Sequence, residues 1–229
     1  MKKIIITISI IFSLLLLTGC TKTDAEKFKE EYESINNKEI YGNKARELNI
    51  DKNNNIVYKS DEEIVQMIKN KETFVVYFGF PKCPWCRSVL PSLLDVSSDL
   101  GLEKLYYVDV SGIRDTLEIN ASGEIVTSKK GSDAYYELLE LLNSVLEEYT
   151  LENKDGEEVN TNEKRIFAPN VVSVVKGEAK ELETGIINEL NDPYMEITDD
   201  MKKEMYNSFK CVIKCTLDAS KTCSVNKAC

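Results

Sequence analysis

The chain has no histidine among its 229 residues. That absence excludes imidazole general bases, Ser-His-Asp triads and histidine-ligated metal sites together. Any thiol here must be activated without an imidazole. Basic residues are outnumbered, with 29 Lys and Arg against 39 Asp and Glu and a net charge of −10. No basic patch offsets that balance, which argues against nucleic acid as a partner. Tryptophan occurs once, as Trp85, and proline five times. Internal repeats are missing too. The longest apolar run, Ile4 to Leu17, is too short to span a bilayer comfortably. What remains is 42% hydrophobic, enough for one ordinary core with additions.

The first residues read "MKKIIITISIIFSLLLLTGC". Lys2 and Lys3 precede the apolar run, which ends in Leu17-Thr18-Gly19-Cys20. This resembles a bacterial lipoprotein signal, cut before a cysteine that is then lipidated. The resemblance implies a signal segment over residues 1–20, lipidation at Cys20 and a membrane partner through the lipid anchor. It implies the extracytoplasmic face of the cell membrane as the location. Six further cysteines remain, an even number suited to an oxidising compartment.

Residues 21–59 form a polar N-terminal extension. Phe28, Tyr32 and Ile35 stand at helical spacing, which predicts a short amphipathic helix from Asp24 to Asn36. It either packs on the domain or serves as a stalk. Strands and helices then alternate. "IVYK" from Ile56 reads as a strand, and Ser60 with Glu63 forms a capping box opening a helix. "TFVVYFGF", Thr73 to Phe80, reads as a buried strand, and "KLYYVDV", Lys104 to Val110, as another. Gly112 to Gly131 is expected to be loop with a hairpin at Asn120 to Gly123. Ser132 to Tyr149 is expected to be one long amphipathic helix. "NVVSVVKGEAKELE" reads as two strands joined at Lys176-Gly177, followed by a last helix from Asp199 to Cys215. This alternation argues for an α/β domain over residues 60–209.

Between the buried strand and a helix-like run lies Cys83-Pro84-Trp85-Cys86. A cysteine at a helix N-terminus meets unsatisfied N–H groups and the positive end of the helix dipole. Both favour thiolate over thiol, and such placement can lower a cysteine pKa from about 8.5 into the ~3.5–7.5 range. Pro84 suits the first turn, where its missing N–H costs nothing. Cys86 follows within that turn, close enough to close a disulfide and more deeply placed. Cys83 is therefore the candidate attacking thiolate and Cys86 the candidate resolving thiol. Half of a zinc site and a structural disulfide are the competing readings of an isolated C-x-x-C.

Asp61 to about Phe209 resembles the thioredoxin-like family. The likeness rests on "FVVYFGF" leading into Cys83-Pro84-Trp85-Cys86, on Pro91 five residues after Cys86, and on "FAPNVVSVVKGE". It implies a central mixed sheet flanked by helices, to which this chain adds an N-terminal helical extension and a Cys-rich C-terminal tail that core thioredoxin folds lack. It implies a cis peptide at Ala168-Pro169, with Pro84, Trp85, Ala168 and Pro169 as the substrate-binding surface. Together with the leader, the pattern looks like the bacteriocin-transport-accessory branch of that family. Two positions depart from the family. Tyr77 stands six residues before Cys83, where a buried acid is usual. Lys82 precedes the motif in place of tryptophan, and its ammonium is expected to favour the Cys83 thiolate.

The tail, residues 210–229, carries Cys211, Cys215, Cys223 and Cys229. Cys211 and Cys215 at i and i+4 are too far apart for an easy mutual disulfide in a regular helix. Crossed pairing to Cys223 and Cys229, as structural disulfides, is expected. A metal cluster and a second redox pair serving Cys83–Cys86 are the other readings. The resulting expectation is a lipid-anchored thiol–disulfide oxidoreductase needing no cofactor and no metal. Its partners would be protein thiols or disulfides and a membrane redox partner for recycling. A cysteine-rich metal-binding lipoprotein and a non-catalytic thioredoxin-like binding module are the alternatives. The leader gives the first test. Replacing Cys20 by Ala should release the protein from membranes; mass spectrometry finding an intact Met1, or an unmodified Cys20, would remove the anchoring claim.

Overall fold

A computed structural model describes residues 22–218. The leader with Cys20, and the tail residues Cys223 and Cys229, lie outside the described residues. In chain order the elements are α1 (Asp24–Glu33), β1 (Glu39–Ile40), β2 (Asn43–Lys44), β3 (Ile56–Tyr58), α2 (Asp61–Lys69), β4 (Phe74–Gly79), α3 (Pro84–Asp99) and β5 (Leu105–Asp109). There follow β6 (Thr116–Ile119), β7 (Ile125–Lys129), α4 (Asp133–Leu141), β8 (Glu147–Glu152), β9 (Glu158–Arg165), β10 (Asn170–Val175), β11 (Glu178–Glu183) and α5 (Asp199–Leu217).

Strand β4 is buried along its whole length because both of its faces are covered. Its β-branched and aromatic residues suit that position. Val75 and Tyr77 face one core with residues of α1, α3 and α5. Phe74, Val76 and Phe78 face a second core with residues of α2 and α4. The five-stranded sheet runs β11-β10-β4-β5-β3. β5 pairs parallel with β3 and β4, whereas β10 pairs antiparallel with β4 and β11. The chain is thus a mixed α/β fold. Lys176-Gly177 turns β10 into β11, with both residues at positive φ. A side chain at Gly177 would meet the Ile68 carbonyl at 2.4 Å, so glycine is required there.

Sequence signals placed several ends correctly. Ser60 and Glu63 form a reciprocal capping box on α2, and the hairpin of β6 and β7 turns at Asn120 to Gly123. One expectation fails. The helix expected from Ser132 to Tyr149 ends at Leu141, and β8 begins at Glu147. Leu138, Leu142 and Leu146 are all buried, so the helical period of apolar residues persists through the turns after the helix. The partner strand β9 contains a single apolar residue, Val159, and so gives no alternating signal. Pairing between β8 and β9 across the Asn153–Glu157 turn overrides the local pattern.

The N-terminal extension is part of the core. Phe28 and Tyr32 on α1 are fully buried, and their rings meet Tyr107 and one another. Arg87, on α3, fixes this layer although it is only 1% exposed. Its guanidinium donates to the carbonyls of Arg46 (2.5 Å from Nη2), Tyr32 (2.8 Å) and Pro81 (3.3 Å), and to Asn36 Oδ1 (2.6 Å). Asn36 in turn exchanges two side-chain bonds with the Leu48 backbone. Arg87→Met should cost about 3–5 kcal/mol in denaturant unfolding, because several buried oxygens lose their donor at once. Arg87→Lys should recover only a minor part, since an ammonium lacks the planar fork. A loss below about 1 kcal/mol for Arg87→Met would show that the extension holds without it.

Candidate active site

The chain leaves β4 through Phe80, Pro81 and Lys82 and enters α3 at Cys83. Cys83 is the N-cap residue, with extended backbone at φ −71° and ψ 117°. Its sulfur accepts the backbone N–H of Cys86 at 3.2 Å, as the oxygen of a capping Ser or Asp would. Pro84 occupies the first helical turn. Cys86 is fully buried and Cys83 is 3% exposed, and both are thiols rather than a disulfide.

A second segment meets them from 85 residues along the chain. The Ala168-Pro169 peptide is cis, and β10 begins at the next residue. Pairing of Asn170 with Phe78 sets this segment beside the end of β4. The Cys83 thiol donates to the Ala168 carbonyl at 3.2 Å. Trp85 is half-buried and packs on the main core, as does Ala168. The structure therefore brings together Cys83, Pro84, Trp85, Cys86, Ala168 and Pro169. No protein-family model matches the chain, and no curated protein matches it.

The two thiols are unequal. A hydrogen bond from the Cys86 thiol is the main influence holding Cys83 below the ordinary thiol range, against the opposing effect of burial. The Cys86 N–H, the Arg114 guanidinium and the Trp85 N–H add to it. Cys86 is pushed well up, first by burial and then by its bond to Cys83. Each thiol thus ionises at the other's expense, with Cys83 favoured.

Arg114 had no local signal in the sequence. It reaches the site from the loop after β5, with its guanidinium 5.5 Å from the centre of the Phe80 ring. Lys82, the cation expected from sequence, is exposed, and Arg114 is the cation acting on Cys83. Tyr77 lies beneath the motif, fully buried, with its hydroxyl 3.1 Å from that of Tyr32. Sequence spacing marked Tyr77 but gave no hint of Tyr32. A cavity of about 470 Å³ opens beside the motif, lined in part by Phe80, Pro81, Lys82, Tyr41 and Ile35.

Cys211 and Cys215 lie in the last turns of α5, a different element, and Cys215 is disulfide-bonded. Among the described residues no three Cys, Asp or Glu side chains gather as a metal site. No helix among them is long and apolar enough to cross a membrane.

The inequality has a direct readout. A lowered pKa means that Cys83 is thiolate at lower pH than an ordinary cysteine. Its alkylation in the reduced protein should therefore reach half-maximal rate below the ordinary thiol midpoint of about 8.5, while Cys86 stays unlabelled. Arg114→Met removes a positive charge and should move the Cys83 midpoint upward, slowing labelling at neutral pH. An unchanged midpoint in Arg114→Met would remove the guanidinium from the account.

Proposed function

We propose that this chain is a thioredoxin-like thiol–disulfide oxidoreductase, lipid-anchored through Cys20 on the extracytoplasmic face of a membrane. One observation carries the reading. A thiol caps a helix, its buried partner lies one turn in, and the peptide carbonyl of Ala168, in the cis-proline bend before β10, faces the first sulfur. A structural disulfide needs no such inequality between its cysteines.

The chemistry follows from that asymmetry. Cys83 thiolate attacks one sulfur of a substrate disulfide, and the other leaves as a thiolate that takes a proton. The mixed disulfide sits where the backbone of Ala168 can bond to an extended substrate. Cys86 then loses its proton and attacks the Cys83 sulfur. The substrate departs as its second thiol, and Cys83–Cys86 is left oxidised. Two electrons pass from the protein pair to the substrate, so no cofactor is required. The reverse sequence oxidises a substrate dithiol. A membrane redox partner would restore the starting state, and protein thiols or disulfides would be the substrates. Pro84 and Trp85 would complete the docking surface.

The assigned roles predict mutants that differ in kind. Cys86→Ser keeps the attacking sulfur and removes release, so it should accumulate reductant-sensitive adducts with extracytoplasmic proteins. Cys83→Ser should trap almost none. Equal trapping by both, or adducts with neither, would overturn the reading. Metal chelation by the pair would instead show as comparable loss of bound metal in each variant.

A further inference from the structure

Resolution of the mixed disulfide requires a charged sulfur in a buried place. Cys86 is fully buried. As its proton leaves, the thiolate needs a donor, because an unpaired buried charge is expensive. Within the proposed reaction, we infer that Tyr77 is a further catalytic residue, whose hydroxyl donates to the Cys86 sulfur during resolution, and that Tyr32 is the positioning residue behind it.

The geometry supports this from three directions. Tyr77 and Cys86 are both fully buried in the same core, and the Tyr77 hydroxyl lies 3.1 Å from the Tyr32 hydroxyl. Tyr77 also acts to hold the Cys86 thiol down against the effect of its burial. A hydroxyl has one proton to give and lone pairs to receive. If Tyr32 donates to Tyr77, the Tyr77 proton is free to point at the sulfur, and each bond polarises the next. Second, the ring has been given room. Tyr77 folds over Gly79, where an added Cβ would lie 2.4 Å from both its Cζ and its hydroxyl oxygen. Any larger residue at 79 would displace the hydroxyl from beneath the motif. Third, the surrounding rings fix it. Tyr77 lies against Tyr107 at 5.4 Å between ring centres, and Phe28 holds Tyr32 at 4.4 Å.

Burial also keeps both phenols protonated, pushing each well above its ordinary range. Tyr77 therefore remains a donor throughout the pH range in which Cys83 works. It does not take the proton. The Cys86 proton passes to the departing substrate sulfur, directly or through solvent, as the Cys83–substrate bond breaks and the Cys83–Cys86 bond forms. The step consumes no further reactant. Tyr32 belongs to α1, so the N-terminal extension contributes to the site itself.

The test uses the full reduced chain and the aromatic disulfide 5,5′-dithiobis(2-nitrobenzoate). Its coloured thiolate appears once when Cys83 attacks and again when Cys86 resolves, so the two steps separate in one trace. Tyr77→Phe keeps the ring and removes the donor. The second release should slow by about 10-fold or more, as for loss of a hydrogen bond to a charged group. The first release should stay within about 2-fold. The pH profile of the second step should move upward, which a purely structural role would not cause. Tyr32→Phe should slow the same step in the same direction by a smaller factor, and it decides the matter if Tyr77→Phe is poorly folded. A wild-type trace without a second release would defeat the proposed oxidoreductase. A normal two-step wild-type trace, with the second step unchanged in rate and pH profile in both variants, would defeat this inference alone.

Discussion

A guanidinium bonded to carbonyl and amide oxygens rather than to a carboxylate anchors α3 to the N-terminal layer. Taking a charge out of water is costly, and only a dense set of oriented acceptors offsets it. The five donors of Arg87 meet that need through backbone oxygens of Tyr32, Arg46 and Pro81 and the Asn36 amide oxygen. Those oxygens belong to the end of α1, to the segment leading toward β3 and to the turn before the cysteines. One side chain thus ties the extension, the motif loop and the motif helix into one unit. Ser88, the next residue, adds a 2.8 Å bond to the Pro193 carbonyl, and Arg46 bonds to the same oxygen at 3.0 Å.

This anchoring gives the thiol chemistry its setting. Cys83 keeps a lowered pKa only because donors and a cation outweigh the effect of its burial. Cys86 pays no such cost while it remains a neutral thiol giving its hydrogen bond to Cys83. A single turn of helix produces both conditions, since the N-terminal end exposes N–H groups and the interior does not. Arg114 adds charge from a separate loop, and α1 brings the Tyr32 hydroxyl to Tyr77 from below. The surroundings of the cysteine pair, residues 83–86, are therefore built from segments near residues 32, 77, 114 and 168.

Much of this was legible in the residues. Period-two and period-3.6 patterns carry their information within a few neighbours, so the buried strands, the Ser60–Glu63 capping box and the helix after Cys83 could be read locally. The helix expected to reach Tyr149 failed because Leu142 and Leu146 keep the helical spacing while the chain has already turned. Strand β9 stayed hidden because its polar sequence is held by pairing, not by an apolar face.

By itself the sequence determined the absence of an imidazole, the excess of negative charge, the α/β alternation and a cysteine pair at a strand-to-helix junction. It also determined that Tyr77 stands six residues before Cys83, on the strand that leads into that pair. Tertiary structure alone decided that α1 packs into the core, that Arg114 rather than Lys82 is the cation at Cys83, and that Tyr32 reaches Tyr77. The physical reason is distance along the chain. Backbone preference and side-chain period act over one or two turns, whereas an electrostatic field or a hydrogen bond depends on position in space. Residues 45 positions apart share a hydroxyl contact here only because a buried arginine and a double-faced strand bring their segments together.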